Sequence, residues 1–245
     1  MQLGNPARLP RLRFVHLPMN PSKFLGALCL GGILAVQPTV TRAADTDWSE
    51  ISRTPTLTIY TREHAGSSVK EVRAVGTFDE PNWVVKNVLD DAEHYSQFMP
   101  HVVESKVISR DRSKGQTIAY ARVSPPMISE RDYTIFVQDQ STSTDKGPVY
   151  KTHWSPANEK GPAEKSGVVR IKNNEGSWQL EPTDNGAHTR GTYILWTDAG
   201  GGVPAFILNS LNKKRLTELF ETVEKTAKGE KYHQTKPVLP GGSPS

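Results

Sequence analysis

Cysteine is almost missing from this chain: one residue, Cys29, in 245. No cysteine follows position 43, which excludes a disulfide scaffold, a thiol nucleophile and any cysteine-based zinc site there. The histidines beyond that point, His64, His94, His101, His153, His188 and His233, are scattered and never fall at His-x-x-x-His spacing, so a helical metal pair is not expected. There is no Gly-x-Ser-x-Gly elbow, and Gly200 to Gly202 lack the lysine and spacing of a phosphate loop. No apolar run reaches the roughly 20 residues of a membrane-spanning helix. Internal repeats and low-complexity tracts are absent as well.

The thirteen uncharged residues Phe24 to Val36 follow Lys23 and precede Thr41 and Ala43, which supply small residues at the −3 and −1 positions of a cleavage site. This is the three-part pattern of a secretory signal peptide over 1–43, with Met19 as an alternative start that gives more ordinary proportions. A periplasmic or secreted location, in a bacterial source, is the expectation. Residues 1–43 hold five basic side chains (Arg8, Arg11, Arg13, Lys23, Arg42) and no acid. Of the chain's 30 basic and 26 acidic residues, 25 and 26 remain after removal, a net charge of −1. The positive charge therefore belongs to the leader, and the mature surface offers no electrostatic reason to bind nucleic acid.

The remaining 200 or so residues suffice for one domain with a sizeable core. Segments 54–63, 69–78, 101–110, 115–124, 130–140, 148–156, 168–182 and 188–198 read as strands. Several alternate apolar and polar residues, such as Leu57 and Ile59 against Thr56, Thr58 and Tyr60, as antiparallel strands with one buried face do. A helix is expected from Asp79, a candidate cap, and Pro81. A longer one follows Pro204, with Leu208, Leu211, Leu216, Leu219, Phe220 and Val223 on its apolar stripe and Lys213, Lys214, Glu218, Glu221 and Lys225 outside. Asp90 and Asp91 read as solvated, and residues 228–245 as a loose tail. The order predicts an α+β domain whose curved antiparallel sheet wraps the last helix.

The stretch "SPPMISERDYTIFVQ", followed by "GSWQLEPTDNGAHTRGTYILWTDAGGGVPAFILNSLNKKRL", resembles the START family of lipid-transfer domains over roughly residues 48–227. The similarity lies in Arg131-Asp132-Tyr133 at a strand start, in Trp178, Leu180 and Pro182, and in Asp198, Gly200, Gly201, Pro204 and Asn209. The resemblance implies a helix-grip (START/Bet v 1-like) fold over 44–227 around an apolar tunnel holding one lipid. The C-terminal helix and the loop Ser124 to Ser129 would act as lid. It further implies a non-enzymatic, monomeric carrier without cofactor or metal, in transient contact with a membrane surface. Sterol-binding members carry a buried arginine six residues after the Arg of the Arg-Asp pair. This chain has Val137 there, so cholesterol specificity does not carry over and a less polar or differently oriented ligand is expected.

Candidate ligand contacts are Tyr120, Met127, Ile135, Val137, Tyr193, Leu195, Phe206, Leu208 and Leu211. Arg131, Asp132, Gly200, Gly201, Gly202, Pro204 and Asn209 are candidates for gating or structure. Whether Tyr120 and Arg122 or Ala119 and Ala121 face inward is open. Gly200 to Gly202 read either as a hinge that lets the helix root pass close to the sheet or as a tight turn. A salt bridge at Glu130 and Arg131 tying down the lid loop is favoured over a ligand contact. Polyketide cyclases and aromatases are helix-grip relatives, so an enzyme is the alternative function. An interaction module with a filled cavity is a third.

Overall fold

Leu57 and Ile59 point into the core, and Thr58 between them points to the opposite face, where it too is buried. The computed structural model describes residues 47–240. The leader expected over 1–43, and residues 241–245, lie outside them. Along the chain come β1 (Ser49–Arg53), β2 (Leu57–His64), β3 (Ser67–Phe78), α1 (Asn82–Asp90), α2 (Tyr95–Phe98), β4 (Val102–Asp111) and β5 (Gln116–Val123). Then follow β6 (Arg131–Asp139), β7 (Thr142–Thr144), β8 (Gly147–Pro156), β9 (Val169–Arg170), β10 (Asn173–Thr183), β11 (His188–Asp198) and α3 (Ala205–Ala227). The strands join in the order β1-β2-β3-β11-β10-β8-β6-β5-β4, with β7 on β8 and β9 on β6. All pairings are antiparallel except β6 with β9. The curved sheet grips α3, the helix-grip arrangement.

Several expectations are corrected. β1 was not foreseen, and 168–182 is two strands, because Arg170 is held against β6 before the chain crosses to pair with β8 and β11. Asp79 does not cap α1; Pro81 occupies that position without a side-chain hydrogen bond, and Asp79 lies 2.9 Å from His188. The helix stops at Asp90 because Asp91 leaves helical geometry at φ −84°, ψ 46°. Neither aspartate is simply solvated: Asp90 pairs with Lys86, and Asp91 accepts hydrogen bonds from Lys231 and the Tyr232 hydroxyl, both at 2.9 Å. Residues 228–240 are accordingly no loose tail. Tyr232 is buried in the core, and the Asn87 amide donates to the carbonyls of Tyr232 (2.8 Å) and Thr235 (2.9 Å).

α3 is anchored along only part of its length. Leu216, Phe220, Val223 and Ala227, at helical spacing, are all buried in the core. Phe220 stacks on Phe78 with centroids 5.1 Å apart and lies 5.3 Å from Trp178. A Cβ on Gly76 would sit 2.7 Å from the Phe220 ring, and one on Gly191 2.6 Å from Phe78. The close approach of helix to sheet is therefore made at Gly76, while Gly191 makes room for the Phe78 ring on which the helix residue Phe220 stacks. Gly200, Gly201 and Gly202 do something else: their φ values of 65°, 65° and 71° form a left-handed turn that side-chain-bearing residues resist, and Gly202 has nothing nearby.

Candidate functional site: a cavity beneath the last helix

The sheet, α1, the segment 92–102 and the middle of α3 (Asn212, Arg215, Leu216, Glu218 and Leu219) enclose a cavity of about 310 Å³, at the lower end of the range for ligand pockets. Of the candidate ligand contacts, Ile135 and Val137 of β6 and Tyr193 and Leu195 of β11 line it. The alternation on β5 resolves in favour of the small side chains, since Ala119 is in the lining and Tyr120 is not. Tyr120 is buried on the outer face, where its hydroxyl donates to Asp132 at 3.2 Å and Lys165 approaches its ring. Met127 and Phe206 are 85% and 73% exposed, outside the cavity. Leu208 is buried and lines a side recess of about 40 Å³, whereas Leu211 lines neither space.

Arg131 and Asp132 are not paired with each other, because consecutive strand residues point to opposite faces. Arg131 faces inward and donates to the carbonyls of Ala199 (3.1 Å) and Ser129, so it ties the loop 124–129 to the glycine turn. Burial, with Arg215 nearby, pulls its pKa below the ordinary arginine value. Asp132 faces outward and receives two hydrogen bonds from Arg170, at 2.7 and 3.1 Å. Glu130 pairs with Arg122. Pro204 is the N-cap of α3. Asn209 joins the helix to β3: its amide oxygen accepts from the Lys70 N–H (3.1 Å) and its amide nitrogen donates to the Ser68 carbonyl (3.3 Å). It takes hydrogen bonds that a strand would take, because the β3–β11 ladder ends at Val72 and Leu195.

The lining also holds polar residues that the apolar stripe did not reveal. Asn212 and Arg215 project inward from α3, Tyr133 from β6, and Lys86 from α1. Burial opposes the charge on Lys86, but Asp90 and Asp139 more than offset it and hold its pKa above the usual lysine value. Burial likewise pushes Tyr133 and Tyr193 above the ordinary phenol range, so both hydroxyls stay protonated at neutral pH. Glu218, expected on the outer face, lines the cavity and meets His101 at 3.4 Å. The detectable signal was position: residues 208, 212, 215 and 219 recur at helical spacing and share one face.

A family model described as polyketide cyclase / dehydrase and lipid transport matches residues 84–223. The chain is 24% identical over 190 residues to the phosphatidylcholine transfer protein of Mus musculus, covering 77% of this chain and 86% of that one. Its fold is similar to that of a STAR-related lipid transfer protein fragment from Xanthomonas axonopodis, with TM-score 0.66, 22% identity and coverage of 75% and 99% of the two chains. Human StAR-related lipid transfer protein 5 is similar too, at TM-score 0.65 and 16% identity over 79% of this chain and 91% of that one. Residues 47–240 have the START fold, and the chain belongs to the polyketide cyclase / dehydrase and lipid transport family.

Proposed function

We propose that this protein is an exported lipid carrier that holds one hydrophobic ligand beneath α3 and exchanges it through a mouth closed by the N-terminal half of that helix and the loop 124–129. The observation that carries this reading is the cavity itself, walled by Ile135, Val137, Leu195 and aromatic residues and covered by the middle of α3 from Asn212 to Leu219. The lipid-transfer names of the similar proteins support it. Burying about 400 Å² of ligand apolar surface at roughly 25 cal/mol/Å² gives on the order of 10 kcal/mol. Association costs of about 4 to 15 kcal/mol leave a reversible affinity, as transfer between membranes requires. Exposed Met127 and Phe206, one on each closing element, suit brief contact of a monomer with a membrane surface.

The test is native mass spectrometry of the protein recovered after expression of the full chain with its leader, mixed with total membrane lipids. The expected result is a mass cut after Ala43 and a stoichiometric lipid adduct. A protein that stays free of sterols, phospholipids and fatty acids sinks the carrier reading. The second reading, a helix-grip enzyme of the cyclase or aromatase type, is favoured by the polar groups Tyr133, Tyr193 and Arg215 in the cavity. It requires turnover of a polyketide-like substrate, which the carrier reading does not.

A further inference from the structure

Arg215 lines both the cavity and its side recess, yet its guanidinium has no hydrogen-bond or ion-pair partner among the described residues. The other charged groups of the main cavity are engaged. Lys86 meets Asp90 and Asp139, Arg110 donates to the Asp90 carbonyl, and Glu218 meets His101 at 3.4 Å and Lys214 at 3.7 Å. The recess contains Arg131, Lys70 and Arg215 and no Asp or Glu among its lining residues. Lys70 reaches Glu63 outside it, and Arg131 spends two donors on carbonyls, leaving its Nη2 free of hydrogen bonds among the described residues. Donors with no protein acceptor thus gather around Arg215: the Asn212 amide one turn before it on the same face, and the hydroxyls of Tyr133 and Tyr193 across the cavity. Arg215 is half-buried, so an anionic partner would replace the water contacts that its guanidinium has lost.

The geometry points to an anion-binding subsite in which Arg215, with Asn212 and Arg131, receives the carboxylate or phosphate head of an amphiphile whose apolar part fills the main cavity. This inference rests on the carrier reading. The size agrees: a recess of about 40 Å³ is several times the roughly 10–15 Å³ one water needs, room for one small anionic group. The charge that Val137 does not supply from β6 is supplied instead from the helix by Arg215, which suits the differently oriented ligand expected from the sequence. Because Arg215 lies at the junction between the firmly packed and the loosely held parts of α3, an anionic head would also hold the helix down.

Isothermal titration of the full chain with palmitate, hexadecyl phosphate and neutral hexadecanol tests this, in the wild type and in Arg215→Gln and Arg215→Lys. The wild type is expected to favour at least one anion over the alcohol by on the order of tenfold or more. Arg215→Gln should erase that preference without weakening the alcohol, and Arg215→Lys should restore part of it. Which anion binds more tightly separates a carboxylate from a phosphate head. Equal binding of all three probes, or a preference that survives Arg215→Gln, overturns the inference while leaving the carrier reading standing. Binding of none of the three fails both. Unchanged thermal midpoints confirm that the variants are folded.

Discussion

Asp132 is the residue on which the outer face of the sheet turns. Its carboxylate is almost inaccessible and accepts from Arg170 twice and from Tyr120 once, while its backbone carbonyl accepts from the Ile171 N–H at 2.9 Å. Arg170 is itself 9% exposed at its side chain, so removal of the carboxylate strands a buried guanidinium. Asp132→Ala is expected to cost about 3 to 5 kcal/mol in urea unfolding. Replacing Asp132 and Arg170 together by Leu and Met should recover much of that loss, and a double variant no more stable than the single one would refute this account. A second residue-scale prediction concerns Gly76. The Phe220 ring cannot step aside, being stacked on Phe78 and packed by Trp178. Gly76→Ala should therefore destabilise by about 1 to 3 kcal/mol through overpacking, measured by the same unfolding curve.

At the scale of elements, α3 is one helix with two mechanical halves. Residues 216–227 are held by core packing, while 205–212 depend on the buried Leu208 and on Asn209 bridging to Ser68 and Lys70. Hydrogen exchange should be faster over 205–212 than over 216–227. Asn209→Ala is expected to raise that exchange and the ligand off-rate several-fold, with a loss of about 1 kcal/mol in global stability. Equal off-rates in variant and wild type would mean that the mouth opens elsewhere. This division was only partly legible in the sequence. The resemblance drew attention to Val137 on β6, and the leucine stripe found the anchored half of α3. The other half was misjudged because a cavity wall need not be apolar: Asn212 and Arg215 share a face with Leu208 and Leu219, whereas Leu211 does not line the space. Tyr120 was undecidable from alternation, since the outer face of β5 is also covered, by Lys165 and the chain leading to Arg170.

For the molecule as a whole, the segment after α3 straps the closing helix to α1. Tyr232 fills the core beside α1, His233 donates to the Ala227 carbonyl at 2.9 Å, and Lys231 and Tyr232 converge on Asp91. Burial opposes ionisation of Asp91, but hydrogen bonds from His94, Lys231 and Tyr232 outweigh it and hold its carboxyl below the usual aspartate range. A carboxyl whose folded pKa is depressed binds fewer protons folded than unfolded. Its contribution is therefore complete above the unfolded value of about 3.9 and disappears as pH falls through the folded value. Asp91→Asn should lower the thermal midpoint at pH 7 and expose the 228–240 segment to proteolysis. The gap between variant and wild type should narrow below about pH 4 and close once Asp91 itself is protonated. A gap that stays constant into that acid range would show that Asp91 acts there through shape, with its charge irrelevant. In the proposed carrier α3 also closes the mouth at its other end, so the strap would fix one end of the helix while the Asn209 contacts release the other. Loosening the strap should then lower stability without matching the several-fold rise in ligand off-rate expected of Asn209→Ala.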